Sequence, residues 1–333
     1  MRVLFIGGTG NISTAVSRLA LQRGIELYHL NRGQRERNLP GVHSLVADVR
    51  EIDQVRAAVG SMTFDVVVNF IAYSVADVEL DLSVFAGKTG QYVFISTASV
   101  YQKPPAHYLI TESTPLENPY WEYSRKKIAA EERLMLAHRE QGFPVSIVRP
   151  SLTYDAVIPL PFGAWGDYTI IRRMKEGLPV IVHGDGTSLW TITHADDFAK
   201  GLLGLLGLPK AIGETFHITS DEVLTWNQIF EATAAAVGVK PNIVHIASEA
   251  LADLCDGLGY PGVRGGLLGD KSHSMVFDNS KIKRFVPSFS ATIPYAQGIK
   301  RTLDWFAADP ARMEPPAGAK DLNQLILDAW AKR

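Results

Sequence analysis

Residues 2–13 of this chain read RVLFIGGTGNIS, a short apolar run followed at once by a glycine-rich turn. Apolar residues then recur at helical spacing from Ile12 to Ala20. This order predicts a buried strand, a tight turn and a helix. Such a turn lets the backbone approach a pyrophosphate, to which the helix N-terminus offers free N–H groups. Counted from Gly8, the spacing is G-x-G-x-x-S, with Ser13 in place of a third glycine or alanine. The stretch predicts a dinucleotide-binding site.

The composition is that of a globular chain with a large core. Its 333 residues are 46% hydrophobic, and the formal net charge of −2 gives no reason to expect nucleic acid as a partner. Cys255 is the single cysteine, so no internal disulfide is possible. We find no apolar run of about 18 residues that would span a membrane, and no charged-then-apolar leader before the first strand. We expect a cytoplasmic protein with no membrane partner.

The second predicted strand, residues 26–30, ends where a dinucleotide fold meets the adenosine ribose. An NAD-binding chain often has Asp or Glu here, whereas this chain has Asn31 and Arg32, with Arg35 and Arg37 close behind. A guanidinium binds a 2′-phosphate that a carboxylate would repel. The pattern favours NADP over NAD, with Asn31 and Arg32 as cofactor-binding residues. A solvated basic loop is the alternative interpretation.

Apolar runs rich in β-branched residues predict further parallel strands at residues 43–47, 64–72, 91–95 and 145–150. Helical segments separate them, which predicts an α/β fold with a Rossmann-type, doubly wound parallel sheet. Ligands of such sheets bind beyond the carboxyl ends of the strands. Asp48 lies at one of these ends. It either accepts a hydrogen bond from the adenine amino group or caps the helix that follows.

The sequence pattern changes after Pro150, where irregular aromatic segments begin. We expect residues 1–150, with about 190–225, to form the dinucleotide-binding Rossmann domain. A smaller, interleaved substrate-binding lobe is predicted from about 151–189 and 226–307, and a linker with a C-terminal helix from 308–333. The substrate pocket is expected where the two lobes meet.

Tyr123 and Lys127 form a Y-x-x-x-K pattern on a predicted helix at about 120–139, so both face one side of it. A phenol has a pKa of about 10, and lowering it by three units takes about 4 kcal/mol. A nearby ammonium and an oxidised nicotinamide both favour the phenolate. The tyrosine then exchanges a proton with a substrate oxygen as hydride moves. Taken alone, the pattern also occurs by chance on many helices.

Thr97 lies just after the strand at 91–95 and 26 residues before Tyr123. A hydroxyl there polarises a substrate oxygen and orients the tyrosine; the alternative is an ordinary Ser/Thr-rich strand end. No metal site is predicted, because the nine histidines are scattered without partners at ligand spacing.

Several of these motifs follow one another in a familiar order. They are residues 7–13, Asp48, residues 96–101, Tyr123 with Lys127, Arg149-Pro150 and residues 193–197. Together they resemble the extended short-chain dehydrogenase/reductase family, and most of all its NAD-dependent epimerase/dehydratase branch, which is UDP-galactose 4-epimerase-like. The resemblance covers roughly residues 1–220.

The resemblance implies a role for individual residues. Thr97 takes the place of the catalytic hydroxyl, Tyr123 that of the acid/base, and Lys127 that of its partner, which also binds the nicotinamide ribose. The implied cofactor-binding residues are Gly7, Gly10, Asn11 and Ile12 at the pyrophosphate, Asp48 and Val49 at the adenine, Phe70, Ile71 and Ala72 at the ribose and ring, and Pro150 at the nicotinamide. Ser151 borders the nicotinamide as well, and Ser99 and Ser151 are predicted substrate contacts.

One position departs from the family pattern. Nucleotide-sugar epimerases commonly have an arginine before the aspartate-rich helix, where it holds the substrate diphosphate, and this chain has Trp190 there. An indole does not pair with a diphosphate, which argues against a UDP-sugar unless another arginine substitutes. Trp165 and Trp190, with Tyr168, suggest stacking on a sugar ring. The equally weighted alternative is that they form the core of the second lobe.

We therefore expect NAD(P)-dependent hydride transfer at a secondary alcohol or ketone of a small, sugar-like substrate. Epimerases and dehydrogenases share this first step, and sequence does not separate them. The alternative is a non-catalytic dinucleotide sensor or an RNA-associated protein of the same fold, against which the intact set of Thr97, Tyr123 and Lys127 argues. Residues 125–139 carry many charges, which is typical of a solvated helix face. The alternative, which the resemblance implies, is that the apolar stripe of this helix pairs with a second subunit in a homodimer.

Overall fold

The computed structural model describes residues 1–33, 39–163, 166–315 and 318–333. Within these ranges the strands are β1 (Arg2–Ile6), β2 (Glu26–Asn31), β3 (His43–Val46), β4 (Phe64–Asn69), β5 (Thr89–Ile95), β6 (Leu109–Ile110), β7 (Val145–Pro150), β8 (Leu152–Tyr154), β9 (Pro179–His183), β10 (Leu189–Trp190), β11 (Ile192–His194), β12 (Thr215–Ile218), β13 (Leu224–Thr225), β14 (Asn242–Ile246) and β15 (Val276–Phe277). The α-helices are α1 (Asn11–Gln22), α2 (Ile52–Val59), α3 (Val75–Phe85), α4 (Glu122–Gln141), α5 (Thr169–Lys175), α6 (Ala195–Leu205), α7 (Trp226–Ala236), α8 (Ser248–Gly257), α9 (Gly262–Gly266), α10 (Ser280–Phe285), α11 (Tyr295–Ala307) and α12 (Leu322–Trp330).

The central sheet has seven strands in the order β12-β7-β5-β4-β1-β2-β3, and every neighbouring pair is parallel. Chain order reverses between β1 and β4, which leaves a crevice beyond the carboxyl ends of these two strands. The predicted fold class, a Rossmann-type doubly wound α/β fold, is confirmed.

Helices cover both faces of this sheet, which is why its strands are almost uniformly apolar. Along β1, Val3 and Phe5 pack with the helices α1 and α6 on one face, and Leu4 and Ile6 pack with α2, α3 and α4 on the other. All four side chains are almost fully buried, and each such burial contributes about 2 kcal/mol. The β1 strand is thus held in the middle of the sheet, with the glycine turn at its carboxyl end.

After β7 the chain builds a second lobe but returns to the central sheet through β12. The lobe contains the parallel pair of β9 and β14, and the rings of Trp190 and Trp226 lie in its core, 5.6 Å apart. The predicted C-terminal helix is present as α12, where Ile326 packs in the cluster that includes Ile181 of β9. The exact domain boundaries remain a prediction.

A buried ion pair joins the helix α4 to the strand β7. The Arg149 guanidinium donates to both carboxylate oxygens of Glu131, with Nη2 and Oε2 2.6 Å apart, and both side chains are almost fully buried. The guanidinium carbon also lies 4.9 Å from the centroid of the Tyr101 ring. The pair therefore fixes the position over the sheet of the helix that carries Tyr123 and Lys127.

We expect Glu131→Gln to lower the free energy of unfolding by about 3 kcal/mol, because it leaves the buried Arg149 charge without its partner. The matched control is Glu122→Gln, which breaks the exposed pair of Glu122 with Lys126 on the same helix and costs less than about 1 kcal/mol. Urea unfolding followed by circular dichroism measures both variants. Equal losses would contradict a special role for the buried pair.

Candidate active site

A cleft of about 580 Å³ lies beyond the carboxyl ends of β1, β4, β5 and β7, and the second lobe closes it with residues 270–271. The predicted site residues that line it are Gly7, Gly10, Asn11, Ile12, Phe70, Ile71, Thr97, Ser99, Tyr123, Lys127, Pro150 and Ser151. Residues separated by more than 140 positions in the chain thus share one surface. Convergence at this edge follows from the parallel sheet, since all its strands end there.

The glycine turn leaves no room for side chains. A Cβ on Gly7, whose φ is +83°, would lie 2.5 Å from the Ile71 side chain, and a Cβ on Gly8 would lie 2.4 Å from the His29 ring. Ser13, which stands in place of the usual third glycine, has a structural role in the turn. Its hydroxyl accepts from the Gly10 N–H and donates to the Gly7 carbonyl. Glycine is therefore required at positions 7 and 8, and pyrophosphate binding at this turn stays a prediction.

Asn11 ties this turn to the segment after β7. Its side-chain amide donates to the Thr153 carbonyl at 2.9 Å and accepts from the Asp155 N–H at 3.0 Å. Its polar groups therefore support the wall of the cleft. Binding of a pyrophosphate by Asn11 stays a prediction, in which the main chain of this residue at the start of α1 would make the contact.

Lys127 is buried between the end of β5 and the loop that follows β4. Its ammonium donates to the Ala72 carbonyl at 2.7 Å and the Ile95 carbonyl at 2.8 Å, and only 1% of the residue is exposed. Burial lowers the pKa of Lys127 to about 7. Since an ammonium has three donors, the two carbonyls leave one N–H for a ligand in the cleft. Ala72 thus contributes its main chain, although its side chain is not part of the cleft lining.

Tyr123 lies one helical turn before Lys127, and its ring is 4.8 Å from that of Trp121 and 6.0 Å from that of Tyr73. Burial raises the pKa of the Tyr123 phenol, and the nearby Tyr73 phenol and the Asp270 charge raise it further. A hydrogen bond with Thr97 acts in the opposite direction and lowers it. The sequence-based expectation of a lowered pKa is therefore not met by the protein groups alone, because burial outweighs the favourable contacts.

The Thr97 hydroxyl belongs to a chain of three hydroxyls. Thr97 Oγ1 lies 3.1 Å from Ser99 Oγ, which lies 2.7 Å from Ser124 Oγ on α4. Ser99 is 2% exposed, so its hydroxyl links Thr97 to the helix of Tyr123. Ser124 was not predicted from the sequence, although its position directly after Tyr123 could have indicated it.

A second buried network holds the loop that follows β4. The Asn69 side chain accepts from the Ile71 and Ala72 N–H groups at 2.8 and 2.9 Å, and donates to Asp81 Oδ2 at 2.6 Å. The Tyr92 hydroxyl donates to the same carboxylate oxygen. Burial raises the pKa of Asp81 to about 7. The network fixes the carbonyl that holds Lys127, and the sequence contained no motif that points to it.

The residues predicted for the adenine end do not line this cleft. Asn31 ends β2, Arg32 follows it, and Asp48 and Val49 come after β3, but none of the four is among the described lining residues. Arg50 hydrogen-bonds the Asp48 carboxylate and lowers its pKa to about 2. The alternative that Asp48 caps α2 is wrong, because the N-cap of that helix is Glu51. Arg35 and Arg37 lie outside the described residues.

Trp190 does not lie where the substrate prediction placed it. The residue is 2% exposed and packs against Trp226 in the core of the second lobe, which is the alternative that the sequence left open. Tyr168 lies in the same core, and Trp165 lies outside the described residues. The cleft lining also includes residues that were not among the predicted site residues, and the aromatic or charged ones among them are Tyr73, Trp121, Asp270 and Lys271.

Across the described ranges, no three His, Cys, Asp or Glu side chains group as metal ligands. No helix in the same part of the chain has both the length and the apolar character needed to cross a bilayer.

Comparisons with known proteins agree with this architecture. A 2′-dehydrokanamycin reductase from Streptomyces kanamyceticus is 26% identical over 87% of this chain and 80% of its own length. A chloroplast stem-loop binding protein of 41 kDa from Arabidopsis thaliana is 27% identical over 73% of this chain and 65% of its own. A dTDP-glucose 4,6-dehydratase structure from Bacillus anthracis, in complex with NAD, shares the fold with a TM-score of 0.73 and 18% identity, covering 93% of this chain and 98% of that one. Residues 3–219, more than half of the chain, match the NAD dependent epimerase/dehydratase family model, and the chain belongs to that family.

Proposed function

We propose that this chain transfers hydride between a nicotinamide dinucleotide and a secondary alcohol or ketone of a sugar-like substrate, as an NAD(P)-dependent oxidoreductase or epimerase. The observation that carries the proposal is that Thr97, Tyr123 and Lys127 line the same cleft as the glycine turn. Family membership and a relative named as a reductase support it. The cytoplasmic location and the homodimer expected from the sequence stay predictions.

In this proposal the chain's own residues handle the proton. Thr97 binds the substrate oxygen, and Tyr123 exchanges the proton with that oxygen. Lys127, anchored by the Ala72 and Ile95 carbonyls, directs its remaining donor to the cofactor ribose. A bound nicotinamide dinucleotide would accept or supply the hydride, and its oxidised ring would favour the phenolate by its positive charge. The glycine turn would hold its pyrophosphate.

The raised pKa of Tyr123 bears on the direction of reaction. Burial raises this pKa, so the phenol of the free protein is in the protonated form, which is the form that donates a proton to a ketone oxygen. Oxidation of an alcohol needs the phenolate and therefore depends more on the charge of the bound cofactor. Tight retention of cofactor through purification would favour an epimerase, and stoichiometric turnover of added cofactor would favour a dehydrogenase or reductase.

We expect Tyr123→Phe to lower turnover at least about hundredfold, because it removes the group that exchanges the proton. The matched control is Tyr108→Phe, at a tyrosine that is 54% exposed and outside the cleft. Turnover is followed by nicotinamide absorbance with a panel of sugars and keto sugars and both cofactors. Unchanged turnover in Tyr123→Phe would show that the proposed mechanism is wrong.

For the cofactor, we propose that the NADP preference rests on Arg32, which is exposed just after β2. The dehydratase structure was solved with NAD, so the preference has no support from that comparison. Arg32→Ala should weaken NADP binding about tenfold more than NAD binding, because only NADP has the 2′-phosphate. Arg56→Ala, on the exposed side of α2, is the control, and titration calorimetry is the measurement. Equal weakening of both cofactors would contradict the preference.

The second candidate is a non-catalytic dinucleotide sensor or an RNA-associated protein. The observation in its favour is the relative named as a stem-loop binding protein. The net charge of −2 argues against RNA, because phosphate contacts need clustered cations. Absence of turnover in the wild type, together with salt-sensitive binding of a stem-loop RNA, would favour this candidate.

A further inference from the structure

A glycine-rich segment of the second lobe reaches across to the proposed catalytic helix. We name residues 262–271, GVRGGLLGDK, the strap. It consists of α9 and one π-helical turn. Its last two residues, Asp270 and Lys271, line the cleft. They are the only charged side chains that the second lobe contributes to the described lining of the cleft.

Close packing holds the strap against the residues that precede α4. A Cβ on Gly265 would lie 2.4 Å from the Trp121 ring, and one on Gly269 would lie 2.8 Å from Trp121 Cβ. The Asn118 amide donates to the Gly269 carbonyl at 2.7 Å and to the Ser99 carbonyl at 2.8 Å. Asn118 is 2% exposed, so one buried side chain connects the strap to the segment of Thr97.

The other end of the strap is fixed by the core of the second lobe. The Lys271 carbonyl accepts from Trp226 Nε1 at 3.1 Å and from His183 Nε2 at 3.0 Å. Burial lowers the pKa of His183 to about 4, so its ring is neutral and donates through Nε2. The main chain is therefore held on both sides of Asp270, which gives its carboxylate a defined place in the cleft.

Asp270 and Lys271 present opposite charges side by side. Lys271 Nζ lies 3.2 Å from Asp270 Oδ2, and the two side chains are 19% and 16% exposed. A third charge lies behind them, because the Lys103 ammonium is 2% exposed and interacts with Asp270. Burial lowers the pKa of Lys103 to about 8. The pair of Asp270 and Lys271 therefore offers the cleft a carboxylate acceptor beside an ammonium donor.

The charged groups of the cleft do not suit a diphosphate. No arginine is among the described residues that line it, Lys127 is held by two carbonyls, and Lys271 is paired with Asp270. A second pocket of about 530 Å³ adjoins it at Tyr123. There Arg264 pairs with Asp253 and Asp256, and Arg125 donates to the carbonyls of residues 118 and 119.

We propose that Asp270 and Lys271 bind two neighbouring hydroxyls of an uncharged sugar ring, and that the strap thereby selects a sugar substrate that carries no diphosphate. One hydroxyl donates to the carboxylate and the other accepts from the ammonium. The proposal rests on the proposed function, since it places the reacting oxygen of the same ring at Thr97 and Tyr123. In the reductive direction hydride from NADPH bonds to the carbonyl carbon, the Tyr123 proton goes to its oxygen, and NADP⁺ leaves.

The test uses methyl 3-oxo-glucopyranoside, an uncharged keto sugar, as the substrate and UDP-glucose as the competitor. Asp270→Asn should raise the KM for the keto sugar at least about tenfold, with less change in kcat and none in the Kd for NADPH. Lys271→Met should act in the same direction. The matched control is Asp253→Asn, at an exposed partner of Arg264 outside the cleft, which should leave the KM unchanged.

The pH profile separates a substrate contact from a merely structural role. The groups that face Tyr123 are Tyr73, Thr97, Lys127 and Asp270, and the Asp270 charge raises the pKa of the phenol. Oxidation of the corresponding alcohol by NADP⁺ needs the phenolate, which the positive charge of the oxidised nicotinamide favours, so this activity rises as the pH rises through the pKa of the phenol in that complex. Removing the negative charge in Asp270→Asn lowers that pKa and moves the rise to lower pH. Asp253→Asn should not move it.

An unchanged KM and an unchanged pH profile in Asp270→Asn would overturn the assignment of Asp270. The proposed substrate class would be overturned if UDP-glucose inhibited the reaction with an inhibition constant below the KM of the keto sugar, and if Arg125→Ala abolished that inhibition. These results differ from failure of the proposed function. If the proposed function is wrong, the wild type and Tyr123→Phe will be equally active, or both will be inactive on every sugar tested.

Discussion

The cleft depends above all on where the Lys127 ammonium is held. The Ile95 carbonyl comes from the last residue of β5 and the Ala72 carbonyl from the loop after the adjacent strand β4, and the two lie close together because these parallel strands end at one edge of the sheet. A buried ammonium without partners would cost several kcal/mol. Its two acceptors therefore determine the position of α4, and with it the position of Tyr123.

The residues behind the cleft form buried polar networks that hold its walls in place. The amide of Asn69 holds the loop after β4 and is itself held by Asp81 and Tyr92. The pair of Arg149 and Glu131 does the same for α4. Buried polar groups of this kind stabilise a structure only when all their partners are present. Both networks therefore favour a single arrangement of the strand ends and the helix.

Electrostatics in the cleft gives the two lobes different parts in the proposed chemistry. Burial against Tyr73 and Trp121 keeps the Tyr123 phenol protonated in the free protein, and Asp270 from the second lobe strengthens this effect. The second lobe thus acts on the proposed acid/base as well as on the substrate. Gly265 and Gly269 let the strap pack against Trp121, where no Cβ would fit, and this packing brings Asp270 near Tyr123.

Local patterns were sufficient for the sheet, the glycine turn and the spacing of Tyr123 and Lys127. Strand periodicity and turn chemistry involve neighbouring residues, so they can be read along the chain. They did not distinguish a core aromatic from a site aromatic at Trp190, because that depends on Trp226, 36 residues further on. Asp81, Asn118, Asp270 and Lys271 belong to no motif. Their roles arise only when the folded chain brings together residues that are far apart in sequence, because burial and charge partners exist only in three dimensions.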